Sequence, residues 1–370
     1  MDSILDYDRL VIDYKMAHCL NRCIFCHSSD EYRKATLVTF AKLQSIVEKL
    51  LNWKEQHGLV NFKMFIGAAT WDHQYIKEVI KLDQLIHNST EGYEVMLGGM
   101  GHRPEPEMRK WLTYIKKAGA ESVGMTFWGP PKMHDAWCGR EGEYDFIMMA
   151  TKLAPEIGLT RLERLFLTKS SLPHLNSIMD ILDDIPGPKK RAIFPLNYLG
   201  RAVNLEYERL TQEEFAALPN RIYKELRNKD LRTEAEWMKF VKHEWDGSKV
   251  AKVMRFQIDK TNVDKLAAMN AEQIMEWLHI KHEQLYQALP DFHKISEQYG
   301  NPASNKIYSL YDVETLWSYC YYQENPQRNL PELKERLFFS LKKIVDYPKV
   351  IEALKILDEL DFQLFSLFPC

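Results

Sequence analysis

The stretch His-Cys-Leu-Asn-Arg-Cys-Ile-Phe-Cys-His, residues 18–27, holds three of the six cysteines in the chain. Cys19, Cys23 and Cys26 are separated by three and then two residues and follow the apolar, β-branched segment 10–14. Thiolates this close on one loop can bind a single metal centre. A structural zinc site normally takes four protein ligands from two separated pairs. Because no second Cys-x2-Cys follows, a zinc site here would lack a ligand.

An iron–sulfur cube bound by three cysteines leaves one iron open for a substrate or cosubstrate. The spacing Cys-x3-Cys-x2-Cys, with Phe25 before the last cysteine, resembles the signature of the radical S-adenosylmethionine (radical SAM) superfamily. The resemblance implies a [4Fe-4S] cluster on Cys19, Cys23 and Cys26, with S-adenosyl-L-methionine on the open iron. It also implies an electron donor such as flavodoxin or ferredoxin.

Composition limits the class of protein. The chain has 370 residues, 45% of them hydrophobic and 27% charged, which are ordinary values for a globular protein. The net charge of −3 lacks the basic excess of a general nucleic-acid binder. Residues 1–8 carry three aspartates and no basic segment typical of a secretory signal. No apolar run approaches the roughly 20 residues that span a bilayer. We therefore expect a cytoplasmic protein with reduced cysteines and no membrane partner.

Apolar patterns of strands and helices alternate through the first 200 residues. Strands are predicted at 9–15, 61–66, 93–97, 121–128, 162–168 and 191–195, and helices at 39–56, 75–87, 105–117, 144–155 and 172–182. Strands separated by helices pair in parallel, because crossovers of this length carry the helices over the sheet. The prediction is an α/β fold, a partial (β/α)6 TIM-like barrel, which the resemblance also implies. An open doubly wound sheet is the alternative.

The pattern becomes mainly helical beyond residue 205. Helices are predicted at 212–227, 234–244, 271–288 and 333–367, and one strand at 250–258. Residues 1–205 are therefore predicted to form the radical SAM core barrel, and residues 206–370 a mainly helical C-terminal extension. The extension is either a cap over the barrel mouth or a module that recruits substrate.

In either architecture ligands bind at the carboxyl ends of the strands. After the second strand, Gly67-Ala68-Ala69-Thr70 stands where the family commonly has Gly-Gly-Glu-Pro, which implies a backbone contact to the methionine amino group. Lys169 is the expected partner of the methionine carboxylate, because an ammonium at a strand end requires an anion. Phe25 is expected to stack near the adenine or to shield the cluster. The set of cofactor-binding residues implied by the resemblance is Phe25, Gly67, Ala68, Ala69, Thr70, Thr126, Thr168, Lys169, Ser170 and Pro195.

The segment His-Asp-Ala-Trp-Cys-Gly-Arg-Glu-Gly-Glu-Tyr, residues 134–144, resembles the loop before helix four in molybdenum-cofactor-type and peptide-modifying radical SAM enzymes. It holds an acid, a base, a cation and a thiol, more reactive side chains than a loop that only connects two elements needs. We predict catalytic roles for Cys138, His134 and Asp135, because a thiol can donate a hydrogen atom to a carbon radical. Packing is the alternative role for Cys138.

Other polar residues near strand ends are expected to hold the substrate. They are His102, Arg103, His134, Asp135, Tyr198 and Arg201. Cys138, Cys320 and Cys370 lack any spacing motif, so the chain resembles the type without auxiliary-cluster cysteines.

The predicted function is that of a radical SAM enzyme that forms a 5'-deoxyadenosyl radical and abstracts hydrogen from a peptide or other natural-product substrate. A small metabolite, such as an amino acid, sugar or nucleotide, is the second substrate class. A non-catalytic zinc or iron–sulfur binding protein is the alternative from a different class.

Overall fold

Parallel β-sheets surrounded by helices form the centre of the protein. The computed structural model describes residues 9–14, 16–26, 38–68, 72–87, 93–197, 200–245 and 253–325. The strands are β1 (Arg9–Tyr14), β2 (Lys63–Ala68), β3 (Tyr93–Met96), β4 (Ala120–Phe127), β5 (Thr160–Leu167), β6 (Lys189–Pro195), β7 (Arg232–Thr233), β8 (Val253–Ile258) and β9 (Ile307–Tyr308).

The helices fall into two groups along the chain. Those between strands β1 and β6 are α1 (Phe40–Gln56), α2 (Ile76–His87), α3 (Glu105–Ala118), α4 (Pro131–Cys138), α5 (Glu143–Glu156) and α6 (Leu172–Asp183). A 3-10 helix (Gly200–Glu208) leads to α7 (Gln212–Ala216), α8 (Asn220–Glu225), α9 (Glu234–His243), α10 (Val263–Ala268), α11 (Ala271–Ala288), α12 (Phe292–Tyr299) and α13 (Leu310–Glu324).

In the described residues seven of the nine strands form two parallel sheets, in the orders β2-β1-β8 and β3-β4-β5-β6, and β7 and β9 form a short antiparallel pair. Along β1, Leu10, Ile12 and Tyr14 are fully buried, whereas the alternate residues are partly exposed on the other face. Strand β5 shows the same alternation. In a barrel, such alternation places one face of a strand against the helices and leaves the other face toward the interior. The predicted fold class, an α/β partial barrel followed by a mainly helical extension, is confirmed.

The structure corrects the predicted elements in three places. Residues 131–138, whose second half was interpreted as loop, form helix α4, and only 139–142 connect it to α5. The single helix predicted over 212–227 is two short helices, because Pro219 precedes the first residue of α8 and cannot continue a helix. The strand predicted at 250–258, assigned to the extension, is β8, which pairs with β1 in the first sheet. The helix predicted at 333–367 lies outside the described residues.

The extension is organised around buried tryptophans. Trp237 of α9 and Trp317 of α13 are at most 2% exposed, and the Trp237 indole N–H donates to the carbonyl of Tyr308 at 2.7 Å. Capping boxes at Thr211, Thr233 and Ser309 start α7, α9 and α13. No described helix has the length and apolar character needed to cross a membrane. The division of the chain near residue 205 stays a prediction.

A buried ion pair lies on strand β5. The side chains of Arg161 and Glu163 are fully buried, with Arg161 Nη1 2.9 Å from Glu163 Oε1. The second carboxylate oxygen of Glu163 lies 2.7 Å from Nη2 of Arg191 on β6. Because charges away from water require partners, these residues hold one another in place across neighbouring strands.

Removing the shared carboxylate should destabilise the protein strongly. We expect Glu163→Ala to lower the free energy of unfolding by about 3–5 kcal/mol, because it leaves the Arg161 charge buried without its partner. Glu105→Ala, which breaks the exposed pair with Arg109, should cost at most about 1 kcal/mol. Urea unfolding measures both values, and equal losses in the two variants would contradict the expectation.

Candidate functional site

The loop that contains the three cysteines leaves the carboxyl end of β1 and is fixed by backbone hydrogen bonds to two other chain segments. The Leu20 amide donates to the carbonyl of Gly99 at 2.9 Å, beyond the end of β3. Two further amides of the loop, those of Arg22 and Ile24, donate to carbonyls at the end of α4 at 2.8 and 3.0 Å. Helix α4 follows β4, so the loop is held where the carboxyl ends of several parallel strands meet.

Two glycines allow the close approach of this loop. A side-chain carbon at Gly99 would overlap the Cys19 sulfur, and Gly99 has φ +78°. At Gly139, with φ +60°, such a carbon would lie 2.5 Å from the Arg22 carbonyl oxygen. Both positions require the left-handed backbone and the missing Cβ that glycine provides.

A buried carboxylate also anchors the loop. Glu143, at the start of α5, is 1% exposed, and its Oε1 accepts a 2.9 Å hydrogen bond from the Asn21 side chain. Its Oε2 lies 2.8 Å from His102 Nε2 and 3.3 Å from Arg140 Nη1. Arg140 also donates to the carbonyl of Met100. Asn21 lies between the first two cysteines, so this network ties their spacing to the turn between α4 and α5.

Aromatic rings cover the other side of the loop. Phe25 lies against Trp128, with ring centroids 3.7 Å apart, and Trp128 stacks on Phe166 of β5 at 4.0 Å. Trp137 of α4 also stacks on Trp128, with ring centroids 4.9 Å apart. Cys23 packs against the same cluster. The two predicted roles of Phe25, shielding of the cluster and contact with the adenine, both stay predictions.

The thiols have the character that an iron–sulfur cluster requires. Cys19, Cys23 and Cys26 are partly buried and, like the other described cysteines, form no disulfide. Among the described residues, no group of three or more Cys, His, Asp or Glu side chains is gathered around the position of one metal ion. A [4Fe-4S] cube takes one thiolate at each of three irons, so its ligands need not converge on a point. Three thiols on one fixed loop therefore fit a cluster in number and donor type.

The three residues predicted to be catalytic all lie in α4, and the structure gives each of them contacts within the protein. His134 is 1% exposed and Cys138 4% exposed. The carboxylate of Asp135 accepts backbone hydrogen bonds from Gly142 and Tyr144 at 2.7 and 2.8 Å, which caps the start of α5. Burial raises the pKa of Asp135 from its ordinary value, although these amides oppose the rise. Their catalytic roles stay predictions.

The residues after β5 bond to one another and to the following segment. Thr168 is fully buried, and its amide and hydroxyl bond to Ser171 at the start of α6. Lys169 Nζ lies 3.6 Å from a carboxylate oxygen of Glu214, so the anion that its ammonium requires is supplied by α7. The Ser170 amide donates to Glu208 at 2.8 Å.

The remaining predicted cofactor-binding residues are placed as follows. Gly67 lies in β2 opposite Asp13 of β1, whose carboxylate oxygen would be 2.5 Å from a side-chain carbon at position 67. Ala68 ends the same strand. Thr126 and Pro195 are partly exposed in β4 and β6. Ala69 and Thr70 lie outside the described residues, and all these binding roles stay predictions.

The polar residues predicted to hold a substrate are engaged with the protein itself. Arg103 Nη2 lies 2.7 Å from Asp72, and His102 bonds to Glu143. The Arg201 amide and guanidinium both donate to carbonyls of the cysteine loop, those of Cys26 and Cys23, at 3.2 and 3.3 Å. Tyr198 lies outside the described residues. Arg201 is thus a further anchor of the loop.

Sequence reasoning missed several residues that shape the site. Glu143 is an acidic residue in the first turn of a helix, an ordinary position for one, so nothing marked it. Its partner Asn21 lies 122 positions earlier in the chain, and Glu208 lies 38 positions after Ser170. Trp128 and Trp137 read as apolar core residues, and their ring contacts with Phe25 connect their side chains to the cysteine loop.

No family model and no curated protein matches the chain. Among solved structures, it aligns with native anSMEcpe with bound AdoMet at 11% identity and a TM-score of 0.46, over 86% of this chain and 97% of that one. The same protein with AdoMet and the Cp18Cys peptide gives 12% and 0.45, over 86% and 97%. The cobalamin-dependent S-adenosylmethionine radical enzyme OxsB gives 13% and 0.34, over 86% and 46%. Because these TM-scores are below 0.5, the similarities establish neither family nor activity.

The contact between Gly139 and the cysteine loop can be tested with a matched pair of glycines. Gly139 and Gly58 have nearly the same backbone angle, φ +60° and +61°, but nothing lies within 4 Å of a carbon added at Gly58. Alanine at either position carries the cost of the left-handed backbone. Gly139→Ala also presses on the Arg22 carbonyl, so we expect an additional loss of about 1–3 kcal/mol in the free energy of unfolding. Equal losses in urea titrations would show that this contact does not constrain the loop.

Proposed function

We propose that this chain is a radical SAM enzyme that binds a [4Fe-4S] cluster through Cys19, Cys23 and Cys26 and acts on S-adenosyl-L-methionine. The observation that supports this most is the placement of all three thiols on one loop at the carboxyl edge of a parallel sheet. That loop is fixed at both sides by Gly99 and by the end of α4. Ligands gather at this edge in parallel α/β folds.

A [4Fe-4S] cluster held by Cys19, Cys23 and Cys26 would supply the electron for reductive cleavage of S-adenosyl-L-methionine, which would be the source of the 5'-deoxyadenosyl radical that abstracts hydrogen from the substrate. The residues of the chain position and shield this chemistry. The hydrogen bonds from Leu20, Arg22 and Ile24 fix the loop backbone. Phe25, Trp128 and Trp137 exclude water from one side of the loop, and exclusion of water protects reactive intermediates from side reactions.

The backbone and side chains at the strand ends are the proposed site for the cosubstrate. Gly67 and Ala68 would place a backbone edge at the end of β2, and Thr126 and Pro195 border the same rim from β4 and β6. Lys169 would bind the methionine carboxylate only in exchange for its contact with Glu214. The methionine carboxylate would therefore compete with the carboxylate of Glu214 for the Lys169 ammonium.

The proposed substrate is a peptide or another natural-product intermediate, with a small metabolite as the second class. The resemblance of residues 134–144 to the corresponding segment of peptide-modifying enzymes supports the first class. An electron donor such as flavodoxin or ferredoxin and a cytoplasmic location complete the proposal. A non-catalytic iron–sulfur or zinc protein is the competing function.

Replacing the three predicted ligands together tests the proposal. After anaerobic reconstitution, the native chain should bind about four irons per chain in one cluster, turn brown and release 5'-deoxyadenosine from S-adenosyl-L-methionine under strong reductant. Cys19→Ala/Cys23→Ala/Cys26→Ala should lose the iron, the colour and the release, because no thiolates remain to hold the cluster. Iron analysis and chromatography of the nucleoside measure these outcomes.

Cys320→Ala is the matched control, because Cys320 lies in α13 outside the cysteine loop. It should retain iron and release the nucleoside as the native chain does. A colourless native protein that binds zinc and leaves S-adenosyl-L-methionine intact would refute the proposal. A brown protein that releases no 5'-deoxyadenosine would favour the non-catalytic iron–sulfur alternative.

A further inference from the structure

A pocket of about 500 Å³ lies between the end of strand β6 and the helices of the extension. This volume falls within the range of about 300–1,000 Å³ that is typical of ligand sites. One wall is aromatic and is formed by Trp237 and Phe240 of α9 and by Trp245, which follows that helix. The carboxylates of Asp230 and Glu314 also line the pocket. Among the described residues, no basic side chain lines it.

The aromatic wall holds a cation of the chain itself. The Arg232 Cζ atom lies 4.5 Å from the ring centroid of Trp237 and 5.3 Å from that of Phe240. The Arg232 Nε donates to the Asp230 carboxylate at 2.7 Å. Aromatic faces attract cations, and the indole of tryptophan does so most strongly. Arg232 is not part of the pocket lining, so the same combination of rings and carboxylate is available to a cation of a ligand.

The charge of the pocket is negative. Glu314 lies on α13 one turn beyond Leu310, at the helix end whose backbone amides carry a partial positive charge. That partial charge is offset by Asp312 in the first turn, whose carboxylate accepts from the Ser309 hydroxyl at 2.9 Å. With two carboxylates and no basic group among its described lining residues, the pocket is electrostatically complementary to a cationic ligand.

The aromatic wall is fixed by contacts within the extension. Trp237 is 2% exposed and bonded through its indole N–H to the Tyr308 carbonyl. The Trp245 amide donates to the Phe240 carbonyl at 3.2 Å, and the Trp245 ring lies 5.3 Å from that of Phe292 of α12. A site whose side chains are ordered in advance loses little conformational entropy when a ligand binds.

The pocket also borders the edge of the sheet at which the cysteine loop lies. Asn197 lines it two residues beyond the end of β6, and Arg201, four residues later, donates to carbonyls of the cysteine loop. The side-chain amides of Asn197 and Asn228 can bond to both the N–H and the C=O groups of a peptide backbone. Tyr311, which is 43% exposed, leaves one side of the pocket open to solvent. A chain segment can therefore enter the pocket and continue outside it.

We propose that this pocket recruits the substrate by binding a basic side chain, lysine or arginine, of a peptide. The proposal rests on the proposed function, because it specifies the peptide that the enzyme would act on. The cation would lie against the aromatic wall between Asp230 and Glu314, with the amides of Asn197 and Asn228 bonded to the peptide backbone. The extension is thus a module that recruits substrate.

Peptide titrations of the full-length chain test the proposal. The probe is an acetylated and amidated pentapeptide with one lysine between alanines, and the control peptides carry norleucine or glutamate in place of the lysine. We expect the lysine peptide to bind about tenfold more tightly than the glutamate peptide, because aromatic faces and carboxylates attract a cation and repel an anion. Isothermal titration calorimetry measures each Kd. Equal affinities for the three peptides would overturn the proposal.

Two variants of the pocket and one control locate the binding. Glu314→Gln keeps the size of the side chain and removes its charge, so it should weaken binding of the lysine peptide about three- to tenfold. Tyr311→Ser removes an exposed ring of the lining and should also weaken binding. Glu276→Gln makes the same change of charge at an exposed position of α11 outside the pocket, and should bind as the native chain does.

Affinities of Glu314→Gln and Glu276→Gln that agree within error would contradict the assignment of the pocket. Circular dichroism spectra must match the native spectrum, so that a loss of folding is not read as a loss of binding. Tyr311→Ser keeps the test valid if Glu314→Gln fails to fold. The amine n-butylamine has no peptide backbone, and affinity equal to that of the lysine peptide would overturn the assignment to a peptide.

The binding measurement is independent of the cluster. The variant Cys19→Ala/Cys23→Ala/Cys26→Ala should bind the lysine peptide as the native chain does, because none of these cysteines lines the pocket. A native chain that holds the cluster and releases 5'-deoxyadenosine but does not prefer the lysine peptide would refute this proposal alone. A native chain that prefers the lysine peptide but binds no cluster would refute the proposed function and leave the pocket as a peptide-binding site.

Discussion

The constraint on which the site depends is the set of backbone hydrogen bonds between the cysteine loop and the end of α4. A loop of ten or so residues loses much conformational entropy when it is fixed, and hydrogen bonds from Arg22 and Ile24 to carbonyls of α4 hold it in a single arrangement. They form only because Gly139 has no side chain where the Arg22 carbonyl approaches. The thiols are therefore positioned by packing against another part of the chain, and the loop does not depend on its own turn geometry alone.

The polar residues in segment 134–144 have structural roles in holding the cysteine loop and the helices that support it. Their density suggested catalysis, yet Asp135 caps α5 and Glu143 holds Asn21 of the cysteine loop. Buried polar groups need partners, and here most of the partners belong to the loop or to the helix that supports it. A segment can therefore be rich in polar and ionisable side chains because it holds a functional loop in place.

The aromatic cluster has a complementary role. Phe25 belongs to the cysteine loop, whereas Trp128, Trp137 and Phe166 come from the end of β4, from α4 and from β5. Their stacking joins the loop to two strand ends without polar contacts, and it lowers the local dielectric around Cys23. Shielding by these rings therefore acts on the side of the loop that carries Cys23.

The sequence by itself determined the alternation of strands and helices, the α/β class and the thiols at the end of β1, because hydrophobic periodicity and cysteine spacing are local properties. It did not determine that residues 131–138 form a helix or that β8 pairs with β1. Nor could it predict the contact of Asn21 with Glu143. The strand pairing and the contact of Asn21 with Glu143 join residues more than 100 positions apart, and their energies depend on burial and direction. Only the folded chain sets those quantities, because it brings the distant partners together and removes water from between them.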